Sequence, residues 1–282
     1  MKRINMILVA FLVIFLMDGS FLEAKTKVAC VGNSITENYA LSSQDKYPAI
    51  LQSLLGSDYE VRNYGLGGRT LLKNGNKPYW DEPKYTEVLA WQPDIVIIKL
   101  GTNDAKPGNW VYKDQFTGNY VEFVNSFKNL DSQPKIFVCY PLPAFAGNSL
   151  PVKDQTLVDE MIPMITDAAQ QTSSTIIDLH TPMVGRDDFT YDKIHPNVKG
   201  TTLMAHTIYP YICPTCPDVS YPEGFWSKVS SFDQTDKAIS VSSTFAFSDS
   251  DLKKLTDNDI STSASVSFPE AGYLTVELPA LL

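Results

Sequence analysis

The segment from Asp94 to Leu100, DIVIIKL, constrains the fold more than any other stretch of the chain. It is almost entirely β-branched and apolar, which is typical of a parallel strand buried on both faces. Together with this run, Ile95–Leu100, the chain has similar short apolar runs at Val28–Val31, Tyr59–Arg62, Ile136–Cys139 and Thr175–Ile177. Amphipathic segments of helical length lie between or after them, at Tyr47–Leu55, Lys84–Ala90, Tyr120–Leu130, Gln155–Gln171 and Lys199–Tyr211. This alternation predicts an α/β fold, a three-layer α/β/α sandwich with a doubly wound parallel sheet.

The composition changes after Tyr211, where a proline-rich stretch, PTCPDVSYPEG, interrupts the α/β pattern. Beyond it, KAISVSSTF, SASVSF and YLTVEL alternate apolar residues with Ser and Thr, which predicts antiparallel β-structure. We therefore expect an α/β domain over residues 25–212, a linker over 213–224 and a partial, β-sandwich-like segment over 225–282.

The first 24 residues are typical of a secretory signal peptide. Lys2 and Arg3 precede the apolar run from Ile7 to Met17, and a small residue, Ala24, follows it. The run is shorter than a bilayer-spanning helix requires. Leu22 is a poor match for the small residue expected before the cleavage site, so an uncleaved membrane anchor is the alternative. The expected location is secreted or periplasmic, with no membrane insertion once the signal is removed.

Charge and cysteine content narrow the classes of partner. The chain has a net charge of −9, which disfavours nucleic acid and anionic membrane surfaces and suits neutral or esterified substrates. Cys30 and Cys139 lie in apolar runs and read as small buried residues. Cys213 and Cys216 lack the neighbouring His or second Cys pair of a zinc site. We expect no metal or other cofactor, and weigh a small structural disulfide equally against two free thiols.

Four polar loops would meet at one edge of the predicted sheet, because the carboxyl ends of parallel strands lie together. They are GNSIT around Ser34, NYGLGGRT from Asn63 to Thr70, GTND from Gly101 to Asp104, and DKIHPN from Asp192 to Asn197. Taken alone, Ser34 reads as a turn or helix-capping residue. The other three loops supply the groups that would make it a nucleophile.

Serine is a weak nucleophile that needs a base, usually an imidazole oriented by a carboxylate. His195 can act as that base, and Asp192 lies three residues before it. Ester cleavage also needs donors directed at the developing oxyanion. The backbone N–H groups of Ser34 and Gly68 and the side-chain amide of Asn103 suit this role.

Each candidate also has an alternative interpretation. Asp104 could replace Asp192 as the acid, but a turn or capping role in its own loop is favoured. The glycines around Gly68 could merely form a tight turn, which is the expectation for Gly67. His180 follows an apolar strand and His206 lies within a predicted helix, so both are interpreted as structural histidines.

These four blocks, in this order, resemble the SGNH hydrolase superfamily, also called GDSL-type esterases. The resemblance covers roughly residues 26–212 and implies Ser34 as nucleophile, His195 as base, Asp192 as its orienting acid, and Ser34, Gly68 and Asn103 as the oxyanion hole. It also implies a flavodoxin-like α/β fold. The usual Gly-Asp-Ser is Gly-Asn-Ser here, and Asn38 stands where relatives often carry Gly.

The wider pattern, with KPYW and LGTNDAKPGNW, resembles bacterial sugar O-acetylesterases. Trp80 and Trp110 could stack on sugar rings, although packing of their loops is an equally good interpretation. The tail from Leu255 to Leu278 is faintly similar to a partial discoidin-like (F5/8 type C) module.

We therefore expect a serine esterase that removes O-acyl groups, acetyl in the first place, from carbohydrate. Its partners would be an acylated glycan or another small ester. The alternatives are a lipase or short-chain esterase acting on other esters, and a non-catalytic glycan-binding protein.

Overall fold

The computed structural model describes residues 24–222, 225–226, 240–243 and 274–277. The expected signal peptide falls almost entirely outside these residues. The chain divides into two compact units, Met1–Tyr221 and Pro222–Leu282. Among the described residues, no helix is both long and apolar enough to cross a membrane.

The first unit is built on a five-stranded, fully parallel sheet in the order β2-β1-β3-β4-β5. The strands are β1 (Thr26–Gly32), β2 (Tyr59–Gly65), β3 (Ile95–Lys99), β4 (Lys135–Cys139) and β5 (Thr175–Ile177). β3, the predicted central strand, is buried along its whole length. The order reverses beside β1, so the loops after β1 and β3 flank the switch point where α/β proteins bind ligands.

Helices cover both faces of the sheet. They are α1 (Ser34–Glu37), α2 (Tyr47–Leu55), α3 (Pro83–Trp91), α4 (Pro107–Trp110), α5 (Phe116–Lys128), α6 (Asp154–Thr156), α7 (Ile162–Thr172) and α8 (Val198–Ile212). Ala29 and Val31 of β1 belong to the main apolar core with α5 and α7. Cys30, on the opposite face, interacts with Tyr47 of α2, and α2 packs against α8. The predicted three-layer α/β/α architecture is confirmed.

Two glycines allow α1 to begin directly at the end of β1. A Cβ atom on Gly32 would lie 2.1 Å from the Thr36 hydroxyl, and one on Gly65 would lie 2.2 Å from the Glu37 nitrogen. Such distances exclude any side chain at either position without movement of the backbone. The close approach places the first turn of α1 against the end of β2.

The helix predicted over Gln155–Gln171 is interrupted. A π-helical turn at Leu157–Met161 separates α6 from α7. Pro163 has no N–H to donate, and its ring would clash with the carbonyl four residues earlier in a regular helix. A single π-turn before the proline accommodates both effects.

The second unit contains an antiparallel pair, β6 (Ser240–Ser243) and β7 (Leu274–Glu277), which matches the alternation predicted there. SASVSF lies outside the described residues. In the first unit, Cys213 and Cys216 form a disulfide just after α8, while Cys30 and Cys139 are free and buried.

Candidate active site

Ser34 is the first residue of α1 and sits at the carboxyl end of β1. Asn33 caps this short helix, since its side-chain oxygen accepts from the Ile35 N–H at 3.1 Å. The cap stops the strand and starts the helix within one residue. Ser34 is 9% exposed, so the residue is largely buried.

His195 lies between Ser34 and Asp192. Its Nε2 is 2.8 Å from the Ser34 Oγ, and its Nδ1 is 2.7 Å from the Asp192 Oδ2. The carboxylate assigns the ring proton to Nδ1, which leaves Nε2 to accept the serine proton. The sequence separation between Ser34 and His195 is 161 residues, so only the fold brings them together.

The loop that carries Asp192 and His195 is held by its own backbone. The Asp192 Oδ1 accepts from the N–H groups of Ile194 at 3.2 Å and His195 at 2.7 Å. Lys193 has a φ of 69°, a left-handed conformation that turns the chain back toward the carboxylate. This local turn explains why the acid and the base can lie three residues apart.

Ser149, in the loop between β4 and α6, is a further partner of the acid. Its hydroxyl donates to the Asp192 Oδ2 at 2.5 Å, and its N–H donates to the Asp192 carbonyl at 3.2 Å. Burial raises the pKa of Asp192, but hydrogen bonds from Ser149 and His195 outweigh it and hold the pKa below its usual value. The carboxylate is therefore kept ionised to support a protonated His195.

Tyr191 covers one side of the His195 ring. The two rings are nearly parallel, 10° apart, with centroids separated by 5.6 Å. Asn38 ties the first loop to the same region, since its side chain donates to the Pro196 carbonyl at 2.9 Å. Asn38 also has a φ of 41°, a conformation that Asn and Gly adopt more readily than other residues.

The three expected oxyanion donors come from three different loops. Within the described chain, neither the Ser34 N–H nor the Gly68 N–H donates to a protein acceptor. Gly68 has a φ of 80°. The Asn103 amide donates one N–H to the Arg69 carbonyl at 3.1 Å, and this hydrogen bond orients the amide. The second N–H on the same nitrogen is left to donate to an oxyanion.

Gly67 does more than form a turn. A Cβ atom there would lie 3.7 Å from the Ser34 Cβ and 2.8 Å from a Glu37 carboxylate oxygen. The Gly67 N–H donates to that carboxylate at 2.6 Å. The close approach fixes the loop after β2 against α1, beside the nucleophile.

Asp104 is not part of the triad's hydrogen-bond chain. Its carboxylate interacts with backbone groups of its own loop, at Gly101 and Asp104, as expected, and it also holds the loop after β2. Its two oxygens accept from the N–H groups of Leu71, at 3.1 Å, and Leu72, at 2.7 Å. Burial raises the pKa of Asp104 to about 7. The residue thus joins the loop after β3 to the loop after β2.

The structure does not support Trp80 and Trp110 as an open stacking platform. Trp80 packs edge-on against Phe123, with centroids 5.0 Å apart, and donates to the Leu71 carbonyl at 2.7 Å. Trp110 is 9% exposed and donates to Glu160 at 3.0 Å. Both rings are committed to packing, which was the alternative interpretation, because their N–H groups and faces already have protein partners.

His180 and His206 lie outside the triad's hydrogen-bond chain. His180 is buried, and its Nδ1 is 3.1 Å from the Pro141 carbonyl. His206 stacks on Tyr221, with ring centroids 4.2 Å apart. Among the described residues, no group of three or more His, Cys, Asp or Glu side chains could hold a metal ion.

Sequence reasoning missed Ser149, Glu37 and Arg69. Ser149 is 43 residues from Asp192 and lies in a loop with no motif, so no local signal marks it. Arg69 stands inside the second block, next to Gly68, and Glu37 directly follows the first block. A charged residue beside a motif was the available signal for both.

Replacing Ser149 by alanine removes a hydrogen bond that lowers the pKa of Asp192, so this pKa should rise. The kcat for hydrolysis of a small ester such as p-nitrophenyl acetate should fall. A net hydrogen bond of about 1 kcal/mol corresponds to a loss of less than about tenfold. The stability that follows from the lowered pKa is present above the unfolded-state pKa of Asp and lost as pH falls through the folded-state value. The melting temperatures of wild type and Ser149→Ala should therefore differ more at neutral pH than near pH ~3. An equal difference at both pH values would contradict this role.

Comparison with known proteins agrees with this fold. Residues 30–203, more than half of the chain, match the model of the GDSL-like lipase/acylhydrolase family. An acetylxylan esterase from Xylanibacter ruminicola is 39% identical over 206 residues, which are 66% of this chain and 43% of that protein. The chain thus spans less than half the length of this relative.

Solved structures show the same fold. A crystal structure of an acetyl xylan esterase aligns with a TM-score of 0.54 at 20% identity, over 66% of this chain and 99% of that one. A carbohydrate acetylesterase from Sinorhizobium meliloti aligns with a TM-score of 0.54 at 19% identity, over 67% and 99%. With more than half of its length matched by the family model, the chain belongs to the GDSL-like lipase/acylhydrolase family.

Proposed function

We propose that the protein is a serine esterase that removes acetyl groups from carbohydrate by two-step acyl transfer. The observation that carries the proposal is the position of the His195 ring, within hydrogen-bond distance of Ser34 on one side and Asp192 on the other. This is the arrangement that a hydroxyl nucleophile requires.

In the first step, the Ser34 Oγ forms a bond to the ester carbonyl carbon while its proton moves to the His195 Nε2. Asp192 stabilises the imidazolium that results. The negative charge on the carbonyl oxygen is met by the N–H groups of Ser34 and Gly68 and by the Asn103 amide. The tetrahedral intermediate then breaks its bond to the alcohol oxygen, which takes the proton from Nε2.

In the second step, water attacks the acyl-enzyme and gives its proton to the His195 Nε2. The new tetrahedral intermediate uses the same oxyanion donors. Its collapse breaks the bond to the Ser34 Oγ, which recovers the proton from Nε2. Acetate leaves as product, and the site returns to its starting state.

A carbohydrate substrate is supported by the acetylxylan esterase relative, which shares 39% identity. The net charge of −9 favours neutral esters over anionic polymers. We also propose export, on the basis of Lys2, Arg3 and the apolar run that follows them.

The proposal is tested by acetate release from acetylated xylo-oligosaccharides, compared with hydrolysis of p-nitrophenyl acetate and p-nitrophenyl palmitate. We expect activity on the first two substrates and little on the third, with no activity in Ser34→Ala. Turnover of the palmitate ester at a similar rate would favour a lipase. If the protein bound the oligosaccharide but hydrolysed none of the three esters, the result would favour a glycan-binding protein.

A further inference from the structure

The peptide bond between Gly67 and Gly68 is held by a charged group from behind. The Arg69 guanidinium donates to the Gly67 carbonyl oxygen at 2.6 Å, from Nη1. That carbonyl belongs to the same peptide plane as the Gly68 N–H, and in a trans peptide the two groups point in opposite directions. Fixing the oxygen therefore fixes the direction of the N–H.

The guanidinium is itself fixed by Glu82, the residue that precedes α3. Arg69 contacts the Glu82 Oε1 through Nε at 2.8 Å and through Nη2 at 2.7 Å. Both side chains are about four-fifths buried, with 23% and 21% exposed. A pair with this geometry is more ordered than an exposed ion pair, because the planar guanidinium is held at two nitrogens.

The main chain of Arg69 reaches the second oxyanion donor. Its carbonyl accepts from the Asn103 amide at 3.1 Å. Arg69 therefore helps to orient two oxyanion donors, the Gly68 N–H and the Asn103 amide. The side chain holds the Gly67–Gly68 peptide, and the backbone oxygen orients the amide. Any shift of residue 69 would move the two donors together.

We propose that Arg69, held by Glu82, is a positioning residue that orients and polarises the oxyanion hole. A cation at the Gly67 oxygen draws electron density along the peptide and strengthens the Gly68 N–H as a donor, as in other hydrogen-bond chains. Its effect grows when negative charge develops on the substrate oxygen, so it acts on the transition state more than on substrate binding. This inference rests on the proposed function.

The test compares Arg69→Met and Arg69→Lys with wild type on p-nitrophenyl acetate. Arg69→Met should lower kcat by about 10- to 100-fold at nearly unchanged KM, which is less than the ~10²–10³-fold typical of deleting an oxyanion donor. Arg69→Lys keeps the charge without the two-nitrogen contact and should recover part of the loss. Arg62→Met is the matched control: Arg62 also pairs with a glutamate, Glu60, but is 47% exposed, and its loss should change kcat by less than about twofold.

A second readout separates positioning from general damage. Phenylboronic acid forms a tetrahedral, negatively charged adduct with a serine oxygen, so its affinity should fall in Arg69→Met by about the same factor as kcat/KM. Unchanged kcat and boronate affinity in Arg69→Met, beside an active, Ser34-dependent wild type, would overturn this inference alone. So would a purely KM effect, or failure of both Arg69 variants to fold. A wild type inert on every ester would overturn the proposed function and the inference with it.

Discussion

Replacing Ser34 by alanine should abolish ester hydrolysis, with kcat falling by about 10⁶-fold, the scale seen when a triad serine is removed. Without the Oγ no acyl-enzyme can form, and His195 has no proton to accept at 2.8 Å. Only the oxyanion donors remain to assist attack by water. His195→Ala should cost a similar factor, and the double variant should lose little more, because the two residues act as one unit.

The measurement is the initial rate on p-nitrophenyl acetate for the chain from Lys25, with acetate release from acetylated xylan as a second assay. Ser53→Ala is the matched control, since the Ser53 hydroxyl donates to the Ala49 carbonyl at 3.1 Å on the exposed side of α2. The control should keep its full rate. If Ser34→Ala kept its activity, Ser34 would be a turn residue and the proposed mechanism would be wrong.

Replacing Asp192 by asparagine should lower kcat by about 10⁴-fold with little change in KM. The shape of the side chain is conserved, but its negative charge is lost. The neutral amide cannot stabilise the imidazolium, and its NH₂ group, if directed at the ring, would favour the wrong tautomer of His195. The Ser149 hydroxyl donates to the Asp192 Oδ2, the oxygen that also contacts the His195 ring, at 2.5 Å. With a neutral amide in place of the carboxylate, this hydrogen bond would no longer be charge-assisted.

Asp159→Asn is the control for this change. Asp159 is an exposed carboxylate that contacts the Gln155 amide, so its loss should leave kcat unaltered. The kcat of both variants should be measured from initial rates on p-nitrophenyl acetate, and their melting temperatures should be compared with that of wild type to check that they fold. A loss below about tenfold in Asp192→Asn would mean that the carboxylate only orients the ring and that its charge contributes little.

Most of the fold was predictable because its pattern is local. β3 reads as a doubly buried strand from its composition alone, and the structure buries all five of its residues. Helix bounds were less predictable. A π-turn at Leu157–Met161 precedes Pro163. A proline can end a helix, kink it or be accommodated by such a turn, and the sequence does not specify which of these occurs.

The candidate site was predictable to the extent that it lies in recognisable loops. Ser34, Asp192 and His195 were expected to meet at one sheet edge, and the structure places them within hydrogen-bond distance. Trp80 and Trp110 could not be resolved in this way, because a loop tryptophan has the same sequence signal whether its ring packs inward or faces solvent. The catalytic roles of Ser34, Asp192 and His195 are predictions that the assays above test.

The sequence by itself determined the α/β layers, the order of the polar loops and the residue types able to carry acyl transfer, because periodicity, turns and chemical identity are properties of the chain. Only the tertiary structure decided which groups support them. Ser149 reaches Asp192, Glu37 holds Gly67, and Arg69 lies behind the Gly68 peptide. These contacts join loops from different strands, and a hydrogen bond depends on distances of a few tenths of an ångström that no sequence spacing specifies.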